Sequence, residues 1–595
     1  VIAVVAMTVG LVLFGCGPKP PPENASGGGG TPVISSSASS PDARLVGPDV
    51  FADVTAASGI DFTYRNGEDA GHLSILESLG GGLAVLDYDG DGRLDLFVPG
   101  GGYYGGPDKK QIFGHPCKLY RNEGGCKFRD VTEETGLSSP AGGWFYTHGA
   151  TVGDYDRDGW PDLLVTGWGR VALFHNVPDG KGGRRMADVT AAAGLGSGVT
   201  WATSAAWADL DGDGFPDLFL CQYVDWSFAN NPDCNYDGKT PDVCPPKKFR
   251  GLTCKVFQNT GNGKFTDVSD TAGVVKGTDL EGKSLGVVVV DVNQDGRPDV
   301  YVANDTVANH FYVNKSEKGK IALVEQGRAV GVALDGGGKP NGSMGVDAGD
   351  PEGTGKPVVL VTNYENENHA FYRNISTRER VSFLYATEST GLGSIGQKFV
   401  GWGTGFHDFD HDGWEDVFIA NGHAIRYPTG ASRHQRPILF FNRGGGKFVE
   451  VSGRGGPYFQ NQRLSRGVAF ADFDNDGHTD VAIIHTNQPV TLLRNVLPTP
   501  EHNWVGVSLF GEGNRDVVGA RVQVEVKGRT QTRFAKGGSS YASSPDRRMI
   551  FGLGTAAKID KLSVIWPDGT RRDWQDVPLN QYHRIRQGSE QLSEK

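Results

Sequence analysis

The chain has 595 residues, 38% of them apolar and 10% aromatic, which is too rich in core-forming side chains for a disordered polymer. Its 88 glycines are about twice the usual share of roughly 7%, a composition of strands and turns. The formal charge of −12 excludes the basic patches that nucleic acid or an anionic membrane surface requires, and six divalent cations would balance it.

The first fifteen residues are apolar or small and uncharged, too short for a spanning helix and matched to the core of an export signal. They end in Leu13-Phe14-Gly15-Cys16, which resembles a bacterial lipobox and implies lipidation of Cys16. Residues 1–16 are therefore expected to be a signal, with the mature protein exported and held at an envelope surface by that lipid alone, or otherwise periplasmic or secreted. Residues 17–48 are Pro, Gly and Ser, a composition that buries no apolar area and serves as a tether.

Beyond the tether one loop recurs. Asp87, Asp89, Asp91 and Asp95 occupy positions 1, 3, 5 and 9 of a nine-residue run with Gly92 at position 6. Alternating oxygen ligands with a glycine at the sharp bend are what wraps a hard cation. The pattern returns at Asp154, Asp156, Asp158 and Asp162; at Asp209, Asp211, Asp213 and Asp217; and at Asp291, Asn293, Asp295 and Asp299. It returns again at Asp408, Asp410, Asp412 and Asp416, and at Asp472, Asp474, Asp476 and Asp480. A seventh, decayed copy starts at Asp350 and carries Val358 at position 9, so it should hold metal weakly or not at all. Position 12 is Val98 or Val165 inside β-branched runs, which excludes the flanking helices of an EF-hand. All-oxygen ligands argue for Ca2+ rather than zinc or copper, at about six sites. Such ions can brace the fold without any further role.

Each loop lies between two apolar runs, followed by an aromatic segment ending in Asn (Leu119-Tyr120-Arg121-Asn122) and a closing Phe-x-Asp-Val-Thr strand. Four short strands per unit and seven units predict an all-β, seven-bladed propeller over 49–498. The last unit lacks its closing strand, and Phe51-Ala52-Asp53-Val54-Thr55 supplies one from the front, closing the ring. The units resemble FG-GAP/VCBS repeats, as in integrin-type propellers. The tail from Val518-Gly519-Ala520 to Trp566-Pro567-Asp568-Gly569 resembles an ASPIC/UnbV domain, and residues 50–590 together resemble the cartilage acidic protein family. Its own alternating strands predict a small β-sandwich over 499–587, leaving 588–595 as a tail.

If the metal loops share one face, the far ends of the second strands share the other. Gln222, Asn304, Asn363, Asn421 and His485 fall there, with His423 and Asn487 nearby, a candidate surface for a glycan or protein ligand. The competing reading is that these side chains cap turns. Six cysteines beyond Cys16 predict three bridges, Cys117–Cys126, Cys221–Cys254 and Cys234–Cys244. No catalytic motif is present, so the expectation is a non-enzymatic binding or adhesion protein at the cell surface. An exported polysaccharide-acting enzyme and an envelope scaffold are the alternatives.

Overall fold

A computed structural model describes residues 47–138, 140–276 and 281–593. The signal core, Cys16 and the tether up to residue 46 lie outside the described residues.

Seven four-stranded antiparallel sheets form the blades. Their first strands are Ala84–Leu86, Thr147–Gly153, Ala202–Ala208, Ser284–Val290, Val346–Gly349, Gly401–His407 and Ser465–Ala471. These strands touch their neighbours in order, and the seventh returns to the first, so the sheets make a closed ring. Second strands read as unbroken apolar runs because both faces of each blade are covered. In blade 1, Leu96 and Val98 enter the core shared with blade 7, whereas Phe97 enters the core shared with blade 2. The ring closes as expected: Phe51–Asp53 pairs antiparallel with Gln488–Asn495, in the register Phe51↔Asn495.

The tail folds into two further sheets. One joins Asn503–Phe510 with Met549–Gly554 and Tyr582–Arg586; the other joins Arg521–Val526 with Arg529–Phe534, Lys561–Ile565 and Arg571–Trp574. Val505, Val507, Val522, Val524, Phe551, Leu562 and Val564 form the core between them.

The axis of the ring is filled. Residues 536–546, Lys-Gly-Gly-Ser-Ser-Tyr-Ala-Ser-Ser-Pro-Asp, leave the tail domain and run along the first strands. Gly537 exchanges backbone hydrogen bonds with Val289 of blade 4, and Ser540 with Val346 of blade 5. The carbonyls of Ala542 and Ser544 accept from Ala150 of blade 2 and Val85 of blade 1. Tyr541, at the tip, is fully buried against Trp402, among Leu76, Leu79, Trp201, Tyr223 and Met344. Small residues are required here: a Cβ on Gly82 would lie 1.8 Å from the Ala542 carbonyl, and one on Gly149 would lie 2.2 Å from it.

The cysteines correct one expectation. Only Cys234–Cys244, inside the 222–253 insert, is bridged among the described residues, at a Cα separation of 5.2 Å. Cys117 and Cys126 sit at opposite ends of the strand Lys118–Gly124 and in different cores. Seven extended residues separate them by roughly 20 Å, far beyond disulfide reach. Cys221 and Cys254 lie side by side as free thiols, and Cys254 shares a 3.1 Å hydrogen bond with Ser284.

Candidate metal loops and the two faces of the ring

The loop template builds its own scaffold. In all seven units the glycine N–H at position 6 donates to the position 1 carboxylate, at 2.7–2.9 Å. Those glycines have φ between 74 and 101°, the left-handed region that side chains resist. The position 5 oxygen accepts the N–H of position 7, as in Arg93 to Asp91 at 2.9 Å and Trp414 to Asp412 at 2.9 Å. At position 9 one carboxylate oxygen accepts the N–H of position 2 and the other accepts the N–H of the third-strand Asn. In blade 1 these bonds to Asp95 come from Tyr88 at 3.0 Å and Asn122 at 2.8 Å.

Converging carboxylates leave a charge problem. Groups of three acidic oxygens lie within 4.8 Å of one another at Asp87–Asp89–Asp95, Asp154–Asp156–Asp162 and Asp209–Asp211–Asp217. Burial, helped by the neighbouring carboxylates and opposed by the loop's own backbone hydrogen bonds, pushes Asp95 up to about 8 and Asp154 to about 7. Burial then neighbouring carboxylates lift Asp209 to about 7, while Asp291 rises to about 6. Asp162, Asp217, Asp299, Asp416 and Asp480 are also raised well above the usual carboxylate range, again by burial. Five loops also bury an oxygen with no hydrogen-bond partner: Asp89 Oδ1, Asp154 Oδ1, Asp209 Oδ1, Asn293 Oδ1 and Asp474 Oδ1. A buried, unpaired oxygen among carboxylates costs free energy that a hard cation would remove, so the donor set fits a divalent ion bound by oxygen. The decayed loop has no such orphan among its described side chains. Its Asp350 accepts from Thr354 and Gly355, and its Glu352 is taken up by Arg373 at 2.6 Å.

A residue type that the spacing marked without explaining ties the blades together. The Asn ending each third strand donates Nδ2 to the position 2 carbonyl of the preceding blade's loop. The pairs are Asn122 to Phe473, Asn176 to Tyr88, Asn259 to Tyr155 and Asn314 to Leu210, at 2.7–2.9 Å. Asn374 to Val292, Asn442 to Pro351 and Asn495 to Phe409 complete the ring at 2.8–3.0 Å. Recurrence of Asn was visible in the sequence; its partner, in another repeat, was not.

The tail domain covers the metal-loop face. Tyr582 donates to Asp472 Oδ2 at 2.6 Å, Gly552 N–H to Asp408 Oδ2 at 3.2 Å, and Asp209 N–H to Asp516 Oδ2 at 3.1 Å. A Cβ on Gly477 would stand 2.0 Å from the Trp504 indole, so the position 6 glycine also permits close docking.

On the opposite face the expected ring is mostly buried. Gln222 accepts from Thr200 N–H at 2.8 Å and donates to the Thr253 carbonyl; Asn304 and Asn363 donate to the carbonyls of Ala308 and Asn368. Asn421 donates to the Arg436 carbonyl at 2.9 Å. His485 sits between Ser465 and Thr491 hydroxyls, and His423 accepts the Ile425 N–H. Burial holds both imidazoles down, at about 3, and hence neutral. Asn487 is exposed and bonded to Asn66. These side chains hold turns. The exposed aromatics of this face are others, all in segments between second and third strands: Tyr103 and Phe113, paired in the hairpin of Gly102–Gly105 and Gln111–Gly114, and Tyr236 and Tyr427.

Two family models match the two parts of this architecture. A model described as an FG-GAP-like repeat matches residues 87–165, 154–220, 253–302 and 408–483, and one described as ASPIC and UnbV matches 511–592. The chain is 23% identical over 510 residues to human cartilage acidic protein 1, covering 82% of this chain and 69% of that one. The Mus musculus protein of that name is 24% identical, covering 82% and 70%. Among solved structures, one describing recognition of non-reducing terminal N-acetylglucosamine by an Agrocybe aegerita lectin aligns with a TM-score of 0.38 and 14% identity. It covers 69% of this chain and 87% of that one. Rhamnogalacturonan lyase YesW aligns with a TM-score of 0.27 and 13% identity, covering 74% and 92%.

Proposed function

Because the chain is an FG-GAP-like repeat protein carrying an ASPIC and UnbV domain, homologous over most of its length to cartilage acidic protein 1, we propose that it is an exported, calcium-stabilised binding module. Its ligand, a glycan or a protein surface, docks on the face away from the metal loops. The observation that carries this reading is the placement of the tail domain. It caps the metal-loop face and fills the axis with 536–546, so one broad face stays open, and that face bears Tyr103, Phe113, Tyr236 and Tyr427. Exposed aromatic rings are the side chains that stack on sugars and anchor protein interfaces. The Cys234–Cys244 bridge supports an oxidising compartment. Calcium is supported by the orphaned oxygens in five of the loops and has a bracing role, beneath the tail domain and away from the ligand.

A glycan and extracellular-protein array, run with the wild type and with Tyr103, Phe113, Tyr236 and Tyr427 all changed to Ala, tests this. The expected outcome is binding by the wild type, weakened about tenfold or more in the variant (two or more hot-spot losses near 1 kcal/mol each) with unchanged melting. Undiminished binding by the variant would sink the assignment of the face. Release of a cleaved product would replace binding with catalysis.

A further inference from the structure

With the Cys117 bridge excluded by geometry, Cys126 stands as a buried thiol whose position repeats elsewhere in the chain. Three blades end their outer hairpin with the same run: Gly124-Gly125-Cys126-Lys127-Phe128, Gly261-Asn262-Gly263-Lys264-Phe265 and Gly444-Gly445-Gly446-Lys447-Phe448. The third residue has positive φ in each, 75° at Gly263, 70° at Gly446 and 57° at Cys126. Cys126 therefore occupies a left-handed position that the sister repeats give to glycine, and the conformation is unfavourable for a side chain.

The direction of that side chain is set by the ring. A Cβ on Gly446 would point at Glu352, position 3 of the loop in the preceding blade, 2.7 Å from its Cγ. Blade 7 precedes blade 1 around the ring, and Cys126 correspondingly faces Asp474, position 3 of the blade 7 loop. Ligand atoms of Cys126, Asp474 and Asp480 all lie within 4.8 Å of one another, and the thiol donates to Asp480 Oδ2 at 3.9 Å. Asp474 is poised for a ligand. Its side chain is 8% exposed, its Oδ2 is held by Arg494 Nε at 2.5 Å, and its Oδ1 is buried without a partner. Arg494 also bonds Asp476 at 3.1 Å, outside the cluster that includes the thiol.

We propose that Cys126 makes the blade 7 loop a mixed sulfur and oxygen site, which takes a thiophilic divalent cation of the zinc and cadmium class in preference to calcium. Among the described residues the groups at the Asp87, Asp154 and Asp209 loops offer carboxylate oxygens, with the His175 imidazole beside the second, and thiolate is the ligand that separates these metals from calcium. On binding, the Sγ–H bond breaks, an Sγ–metal bond forms and the proton leaves to solvent. The proposal rests on the reading of these loops as cation sites, and Cys126 is what distinguishes this one from the rest.

The test uses the full chain with the Cys234–Cys244 bridge intact and Cys16, Cys117, Cys221 and Cys254 changed to Ala, so that Cys126 is the one remaining thiol; it is stripped with chelator, resupplied with saturating calcium and then titrated with cadmium. The readouts are the ultraviolet thiolate-to-cadmium charge-transfer band and metal content by mass spectrometry. The expected result is about one cadmium bound with the band present in this single-thiol parent. In Cys126→Gly, which restores the residue of the sister repeats, the band should vanish while calcium in the remaining loops stays unchanged. No band in the single-thiol parent, or a band that survives in Cys126→Gly, overturns the proposal. Absence of calcium from every loop would refute the calcium reading separately, and the cadmium band would still decide the role of Cys126.

Discussion

Asparagine at the end of each third strand is the residue on which the ring depends most directly. Asn314 donates to the carbonyls of Leu210 in the preceding blade and Pro298 in its own, at 2.9 and 3.0 Å, and accepts from Ser316 N–H. Asn314→Ala strands both buried carbonyls, and the expected loss is about 2–4 kcal/mol in denaturant unfolding. A loss below about 0.5 kcal/mol would show that water replaces the amide freely. The aspartates of the loops were legible because a cation site made from nine consecutive residues has local geometry. The role of the asparagines was hidden because each acts on a backbone 82 to 351 positions away.

At the scale of elements, the strand Phe51–Asp53 decides whether blade 7 has four strands or three. Phe51 is buried, stacked with Phe459 at 6.1 Å and set edge-on to Phe409 and Phe418. Phe51→Ala leaves a cavity and loosens the closure, and the expected cost is about 3–5 kcal/mol. Unchanged thermal melting in this variant would show that the ring is held without its N-terminal strand. This closure was readable from the missing repeat segment, since a ring of sheets cannot leave an edge open. The Cys234–Cys244 bridge was readable as the staple of its insert, whereas Cys117 and Cys126 were not, because a spacing of nine residues says nothing about whether the chain turns back between them.

For the molecule as a whole, calcium and pH should act on stability with opposite signs. Burial raises Asp95 to about 8, Asp154, Asp209 and Asp472 to about 7, and Asp291 to about 6. In the unfolded chain these groups return to about 3.9. Between about pH 4 and 8 the chelated, folded protein holds protons that the unfolded chain has released, so its stability falls as pH rises. With calcium bound the carboxylates are held ionised, protons compete with the metal, and stability falls as pH drops. Melting temperatures at pH 5 and pH 8, with chelator and with calcium, check both signs. A chelated protein that melts higher at pH 8 than at pH 5 would contradict the buried-carboxylate account.

By itself the sequence determined the repeat, its cation-ready loop, the number of blades, the decay of the fifth loop and the strand that closes the ring. Each of these is written within one unit or in the comparison of units, where spacing and residue type carry the physics. Only the tertiary structure decided which face is open. The run Lys536 to Asp546 is small and polar, with no apolar period to mark it as core, yet it lines the axis because closely packed first strands leave room for little beyond backbone. The same packing turned the expected ring of amides and imidazoles into turn supports, since groups at the ends of buried strands must satisfy the chain before they can serve a ligand.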